Sequence, residues 1–228
     1  MEQQDILSMT LPELQAAVQE LGEPKFRAKQ IFNWLHQKRV TDFSEMTTLS
    51  LPFRERLASD FCINRLKIAK RLASSVDDTV KYLYELPDGN YVETVCMQYH
   101  HGTSLCISTQ VGCRMGCRFC ASAIAGFVRN LTPAEMLLQI YETERAQNCK
   151  ISSLVLMGIG EPLDNFDNVL RFLQLLSDPN GYGMSLRHVT VSTCGVVPKI
   201  LELAEQRLGL TLSVSLHCPN DAGRSAIM

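Results

Sequence analysis

No apolar run in this sequence approaches the length that crosses a bilayer, and the amino terminus, MEQQDILSMT, lacks the basic start and apolar stretch of an export signal. A membrane-spanning or secreted chain is therefore not expected, and a cytoplasmic location is the default. Charge of one sign is missing as well: 22 Lys+Arg stand against 24 Asp+Glu, a formal net charge of −2. No overall field draws the chain to nucleic acid or anionic membranes, so such a partner has to be read from local patches. Internal repeats and low-complexity tracts are absent too, which removes repeat arrays from consideration. What remains is a globular chain of 228 residues, 46% hydrophobic, long enough for one sizeable domain or a small one beside a larger one. Its nine cysteines are an odd number with no export signal to carry them into an oxidising compartment. Reduced thiols are expected, and where they cluster, a metal.

The segment TLPELQAAVQELG spaces Thr10 and Glu13 as a capping box, with Pro12 in the first turn and Gly22 as a stop. EPKFRAKQIFNWLHQKR and SLPFRERLASDF repeat the helical pattern, so three helices are predicted across about residues 10–62. Basic side chains are bunched here, as Lys25, Arg27, Lys29, Lys38 and Arg39, and again as Arg65, Lys67, Lys70 and Arg71. TVKYLYELPDGNYVETVCM then alternates β-favouring residues about a Pro87-Asp88-Gly89-Asn90 turn and predicts a hairpin. Beyond His100 come SLCIST, SSLVLM, HVTVST and LTLSVSLH, the first three each followed by a helical pattern: the rhythm of parallel βαβ units. The expected fold is α/β, a partial parallel β/α barrel with four strands present. The expected division is a helical part at residues 1–75, a hairpin connector at 76–98 and the barrel at 99–228. CPNDAGRSAIM predicts only a loop opening a helix that is not built, and the abrupt ending suggests a chain cut short.

The chemistry concentrates in CRMGCRFC, where Cys113, Cys117 and Cys120 form C-x3-C-x2-C. Three thiolates are one short of a closed tetrahedral zinc site or an ordinary four-iron cluster. A [4Fe-4S] cluster held by three cysteines keeps one iron open to an outside ligand; a zinc ion completed by a distant residue is the competing reading. The loop follows the first strand of the βαβ series, at the end where β/α barrels gather their active sites.

That motif, with an aromatic before its last cysteine, resembles the radical S-adenosylmethionine superfamily. More narrowly, VETV, STQVGCRMGCRFC, GFVRNLT, MGIGEPL, VTVSTCGVVP and SVSLHCPND resemble, in order, the signature blocks of the RlmN family of dual-specificity RNA methyltransferases. The resemblance implies a [4Fe-4S] cluster on Cys113, Cys117 and Cys120, with S-adenosyl-L-methionine bound at the open iron and split to a 5′-deoxyadenosyl radical. It implies methylation of C2 of adenine in 23S rRNA and tRNA, and an electron donor such as a flavodoxin-type protein. The Cfr branch, acting on C8, shares most of these blocks and stays open as the alternative, as does a non-catalytic RNA-binding remnant.

Gly160, Glu161, Ser192, Ser215, Leu216 and His217 match the family's ligand-contacting positions. On residue type alone, Gly-Ile-Gly-Glu-Pro is a βα turn, Ser192 a cap or turn residue and His217 a hydrogen-bonded core histidine. Cys106 matches the thiol that resolves a covalent RNA adduct, though an isolated strand cysteine is more often a small buried hydrophobe. Glu93 matches the family's proposed proton acceptor and is otherwise an edge charge. Cys62, Cys96, Cys149, Cys194 and Cys218 carry no motif and read as packing, and His100-His101 as an exposed turn. The basic bunches, expected on helices, resemble the accessory part that grips the RNA backbone. In the family a cysteine of the carboxyl-terminal region receives the methyl group, and that region is expected to be missing here.

Overall fold

Helix starts marked by Thr, Ser and Pro and a left-handed glycine turn delimit the amino-terminal elements as the sequence predicts. The computed structural model describes residues 3–124 and 126–228. Strand β1 (Gln4–Asp5) pairs in parallel with β2 (Phe61–Cys62), and between them run α1 (Leu11–Glu20), α2 (Phe26–His36) and α3 (Leu51–Asp60). The Thr10 N–H donates to Glu13 Oε2 at 2.8 Å, and Gly22, at φ +78°, turns the chain after α1. Ile31, Phe32 and Leu35 of α2 pack with Phe53 and Leu57 of α3 in the core. Each such fully buried side chain stabilises the fold by roughly 1.5–3 kcal/mol.

The body is a mixed sheet. Strands β3 (Lys67–Ala73), β4 (Val80–Glu85), β5 (Tyr91–Tyr99) and β6 (Gly102–Cys106) run antiparallel, each to the next. A separate ribbon follows, β7 (Gln110–Gly112) with β8 (Phe127–Asn130), whose connecting loop contains the short helix α4 (Ala121–Ile124). Helix α5 (Pro133–Gln147) then crosses to β9 (Ile151–Leu156), α6 (Phe166–Ser177) to β10 (Val189–Thr193), and α7 (Val197–Glu205) to β11 (Thr211–Val214). Strands β6, β9, β10 and β11 are parallel, and the whole seven-stranded order is β11-β10-β9-β6-β5-β4-β3. These are the four strands of the expected partial barrel.

Three features depart from the expectation. The hairpin is no separate connector, because β5 hydrogen-bonds directly to β6 and prolongs the barrel sheet. Lys67, Lys70 and Arg71 lie not on a helix but on β3, an edge strand with all seven residues exposed, so the division after residue 75 falls in the β3–β4 turn. Its lysines and arginine blunt an open edge and at the same time hide the alternation by which a strand is recognised. Residues Asp221–Ile227 do build a helix, α8, whose start is capped by Asn220 Oδ1 accepting from the Gly223 N–H at 2.9 Å.

Helix α5 is the centre of the molecule, buried continuously from Pro133 to Glu144. The amino-terminal helices dock against it and its neighbours. His36 Nδ1 meets the Tyr141 hydroxyl at 2.9 Å, Arg39 pairs with the buried Glu144, and Arg171 on α6 donates to Glu13 Oε1 at 2.6 Å. Arg39, counted in a basic bunch, is thereby spent inside the fold.

Burial holds the His36 pKa down at about 4 from 6.5, partly opposed by Asp178. Above about pH 6.5 the ring is neutral in both states; as pH falls toward 4 the unfolded chain takes the proton first, removing on the order of 3 kcal/mol of stability. Asp5 acts oppositely: burial raises its pKa from 3.8 to about 6, so acidification through that window favours the fold. Replacing His36 by Phe removes the first contribution and leaves the second. Urea midpoints of H36F should therefore fall less steeply than those of the native chain between pH 7 and 4; parallel profiles would contradict the assignment.

Candidate active site

Hydrogen bonds from α5 fix the floor of the site. The Gln139 side chain accepts from the Ser108 N–H at 2.9 Å and donates to the Ser108 carbonyl at 3.0 Å. Ser108 Oγ in turn donates to the Glu93 carbonyl at 2.6 Å and accepts from the Ile159 N–H at 3.0 Å. Two residues on, the buried Gln110 side chain accepts from the Glu161 N–H at 2.8 Å and donates to Asn130 and Asp164. The loop after β9 is thus bound to the segment after β6.

The glycines of Gly158-Ile159-Gly160-Glu161 serve that contact. A Cβ on Gly158 would come within 2.7 Å of the Ile107 carbonyl group, and one on Gly160, at φ +107°, within 2.6 Å of Gln110 Cβ. The close approach they permit is first of all to the chain's own backbone.

Antiparallel pairing of β7 with β8 makes the cysteine loop the tip of a ribbon. Its base is closed by the Cys113 N–H donating to the Gly126 carbonyl at 3.0 Å, and a Cβ on Gly112 would lie 1.7 Å from that oxygen. Arg114 ties the loop to the next turn through a 2.8 Å ion pair with Asp164 and stacks over the Phe127 ring at 3.8 Å. From the other side, the Arg118 N–H donates to the Ile227 carbonyl of α8 at 2.9 Å.

Cys113, Cys117 and Cys120 line one cleft of about 370 Å³ together with Gly160, Glu161, Ser192, Ser215 and His217. Eight of the eleven site residues picked out in the sequence therefore meet. Met115, Phe119, Met157 and Cys194, not picked out, line it as well. Leu216 does not: the residue is 58% exposed, and its carbonyl accepts from Arg224 at 2.7 Å. His217 takes a left-handed φ of 58° and sets its ring 4.6 Å from that of Phe119.

Glu161 is 3% exposed, and its carboxylate accepts from the Leu163 N–H at 3.0 Å and the Cys194 N–H at 2.7 Å. Beside it the Cys194 thiol is pushed up to about 12, by burial first and then by the Glu161 charge. Packing therefore does not describe Cys194, which sits in the cleft wall. Burial also raises the Cys113 thiol.

Cys106 and Glu93 lie outside the cleft lining but on the same sheet face as Ser192. Cys106 opposes Val95 and Val155, Val155 opposes Thr190, and alternate residues along each strand return to that face. Its members are only half-buried, whereas the opposite face, carrying Leu105, Leu154 and Val191, is sealed. Burial raises the Cys106 thiol, against a backbone hydrogen bond from Met157. Glu93 forms a 2.6 Å ion pair with Lys81.

Among the described residues no three His, Cys, Asp or Glu side chains gather round one point where a metal ion would sit. A single zinc ion, with its sulfurs all at about 2.3 Å, demands such a point.

Residues 107–228 match the family model of the radical SAM superfamily. The chain belongs to that superfamily. Residues 4–63 match the ribosomal RNA large subunit methyltransferase N-terminal domain. The chain is 52% identical over 227 residues to the probable dual-specificity RNA methyltransferase RlmN of Lachnoclostridium phytofermentans, covering 98% of this chain and 63% of that protein. It is 49% identical to the protein of the same description from Alkaliphilus oremlandii, covering all of this chain and 66% of that one. A crystal structure of a radical SAM methyltransferase from Sphaerobacter thermophilus superposes with a TM-score of 0.92 at 36% identity, over 99% of this chain and 67% of that one. The chain thus spans about two thirds of the length of these relatives.

Replacing Glu161 by Ala orphans two backbone N–H groups at the cleft and should lower stability by about 2–4 kcal/mol. E161Q, which keeps one acceptor, should lose about half as much. Urea denaturation of the two variants measures this, and native-like midpoints for E161A would show that the carboxylate does not hold the two loops together.

Proposed function

We propose that this chain carries the cluster-binding and S-adenosylmethionine-binding part of an RNA adenine methyltransferase of the RlmN type, acting on C2 of adenine in 23S rRNA and tRNA. The observation that supports it most is the gathering of the three C-x3-C-x2-C thiols with Glu161, Ser192, Ser215 and His217 in one cleft at the carboxyl ends of β6, β9, β10 and β11. The names of the relatives point to RNA as substrate.

Cys113, Cys117 and Cys120 would hold a [4Fe-4S] cluster, which supplies one-electron cleavage of the S-adenosylmethionine sulfonium. The chain's own groups do the rest. Glu161, already anchored by two backbone N–H donors, presents its remaining lone pairs to the ligand's ammonium. Gly160 leaves room beside it, Ser192 and Ser215 offer hydroxyls, and the Phe119–His217 ring pair makes an aromatic wall for the adenosyl group. The half-buried sheet face beyond the cleft accommodates a flipped adenine, with Glu93 as proton acceptor and Cys106 as a thiol beside the substrate.

Exposed Lys67 and Lys70 on β3, together with Lys25 and Lys29, offer contacts for an RNA backbone. The electron would come from a flavodoxin-type donor, in the cytoplasm; no helix among the described residues is long and apolar enough to cross a membrane.

Anaerobic reconstitution should load about four irons and four sulfides per chain. Single alanine substitutions at Cys113, Cys117 or Cys120 should abolish the brown absorbance. With reductant and S-adenosylmethionine the loaded chain should release 5′-deoxyadenosine, and methyladenine on ribosomal RNA should appear once a carboxyl-terminal segment carrying the methyl-receiving cysteine is added. Full iron content in the three variants would defeat the proposal.

A further inference from the structure

The cysteine loop is lightly packed. None of residues 113–120 is buried, and a Cβ on Gly116, at φ +72°, would meet nothing within 4 Å. Apolar burial therefore does little to place the thiols, and the few polar contacts that reach the loop decide its position. Arg114, next to the first thiol, makes such a contact on the side of Glu161. Its Nε lies 2.8 Å from Asp164 Oδ2, and its guanidinium carbon lies 3.8 Å from the centre of the Phe127 ring at the start of β8. Asp164 is itself firmly held. The same Oδ2 accepts from Gln110 Nε2 at 2.7 Å, and the Asp164 N–H donates to the Glu161 carbonyl at 3.1 Å. Gln110 completes the ring by accepting from the Glu161 N–H at 2.8 Å. Arg114 thus engages a carboxylate fixed to the same short turn as Glu161.

We propose that Arg114 and Asp164 are a positioning pair, which sets the cysteine loop against the Glu161 turn so that the thiols and the carboxylate facing the ligand's ammonium keep one spacing. The ligand side of this rests on the proposed function above. Neither side chain lines the cleft, so the pair acts through Cys113 on one side and Glu161 on the other. With side chains 51% and 23% exposed the ion pair contributes modestly by itself; its leverage comes from the stack on Phe127 and from an acceptor that does not move. Losing it frees a loop without unfolding the protein.

Hydrogen exchange on the metal-free chain reads the pair without the cluster. In R114Q and D164N the peptide covering residues 113–120 should exchange about fivefold faster, while α5 keeps its native rate. D164N retains an oxygen for Gln110, so its effect isolates the charge. Loaded with iron and sulfide, both variants should hold the native iron content yet bind S-adenosylmethionine about fivefold more weakly, a gap that closes as salt approaches about 1 M. The double variant should lose no more than either single one. Native loop exchange and native affinity in both single variants overturn the proposal. So do losses that add in the double variant, and so does faster exchange spread equally over α5, which marks a general loss of stability. A native chain that takes up no iron, with loop exchange still dependent on the pair, overturns the cluster assignment and supports the positioning role.

Discussion

A helix buried without a break from Pro133 to Glu144 must find a partner for each polar group it carries there, and α5 does so through Glu135, Gln139, Thr143 and Glu144. Glu135 receives a forked pair of 2.8 Å hydrogen bonds from Arg129 on β8, and the Thr143 and Tyr84 hydroxyls meet at 2.8 Å. Glu144 accepts from the Ile151 N–H at 2.6 Å and the Tyr182 hydroxyl at 2.7 Å while pairing with Arg39. Each bond ties α5 to a different neighbour: the ribbon, the antiparallel strands, the entry to β9 and the amino-terminal helices. Removing one partner would strand a buried polar group at a cost of about 1–3 kcal/mol, more where the group is charged.

The cleft inherits its rigidity from this arrangement. From Gln139 the hydrogen bonds pass to Ser108 and on to Ile159, and from Gln110 to Glu161 and then Cys194. Loops after three different strands are thereby fixed relative to one another before any ligand enters. The cysteine loop is the exception, a ribbon tip pinned at its base, braced by Arg114 and touched by α8. Walls set by a relay of buried bonds thus stand beside a tip held at only a few points, which divides the cleft into a rigid part and a more adaptable one.

Much of this was legible in the sequence because local chemistry and tertiary role coincide. The Thr10–Glu13 box, the Pro-Asp-Gly-Asn turn and the four apolar strands carry their own signals, and the spacing of Cys113, Cys117 and Cys120 announces a shared site. Strand β3 was illegible because KIAKRLA is an edge, where charge replaces alternation. The β7–β8 ribbon escaped notice because β7 has three residues and takes its partner from beyond the cysteine loop. Cys194 belongs to no spacing pattern, and only the parallel register of β9 and β10 brings it beside Glu161. The glycines after β9 were recognised, yet what they accommodate first is Ile107 and Gln110, invisible without the fold.

The seating of α1 and α2 bears on how the molecule comes apart. Ser8 accepts from the Ala134 N–H at 3.1 Å, Glu13 grips Arg171, and His36 lies against Tyr141, so the elements from β1 to α3 form one wall of the core around α5. A protease nick in the irregular segment at residues 63–66 would sever the backbone without freeing either piece. Such a protein would run as two bands under denaturing conditions and still sediment as one particle.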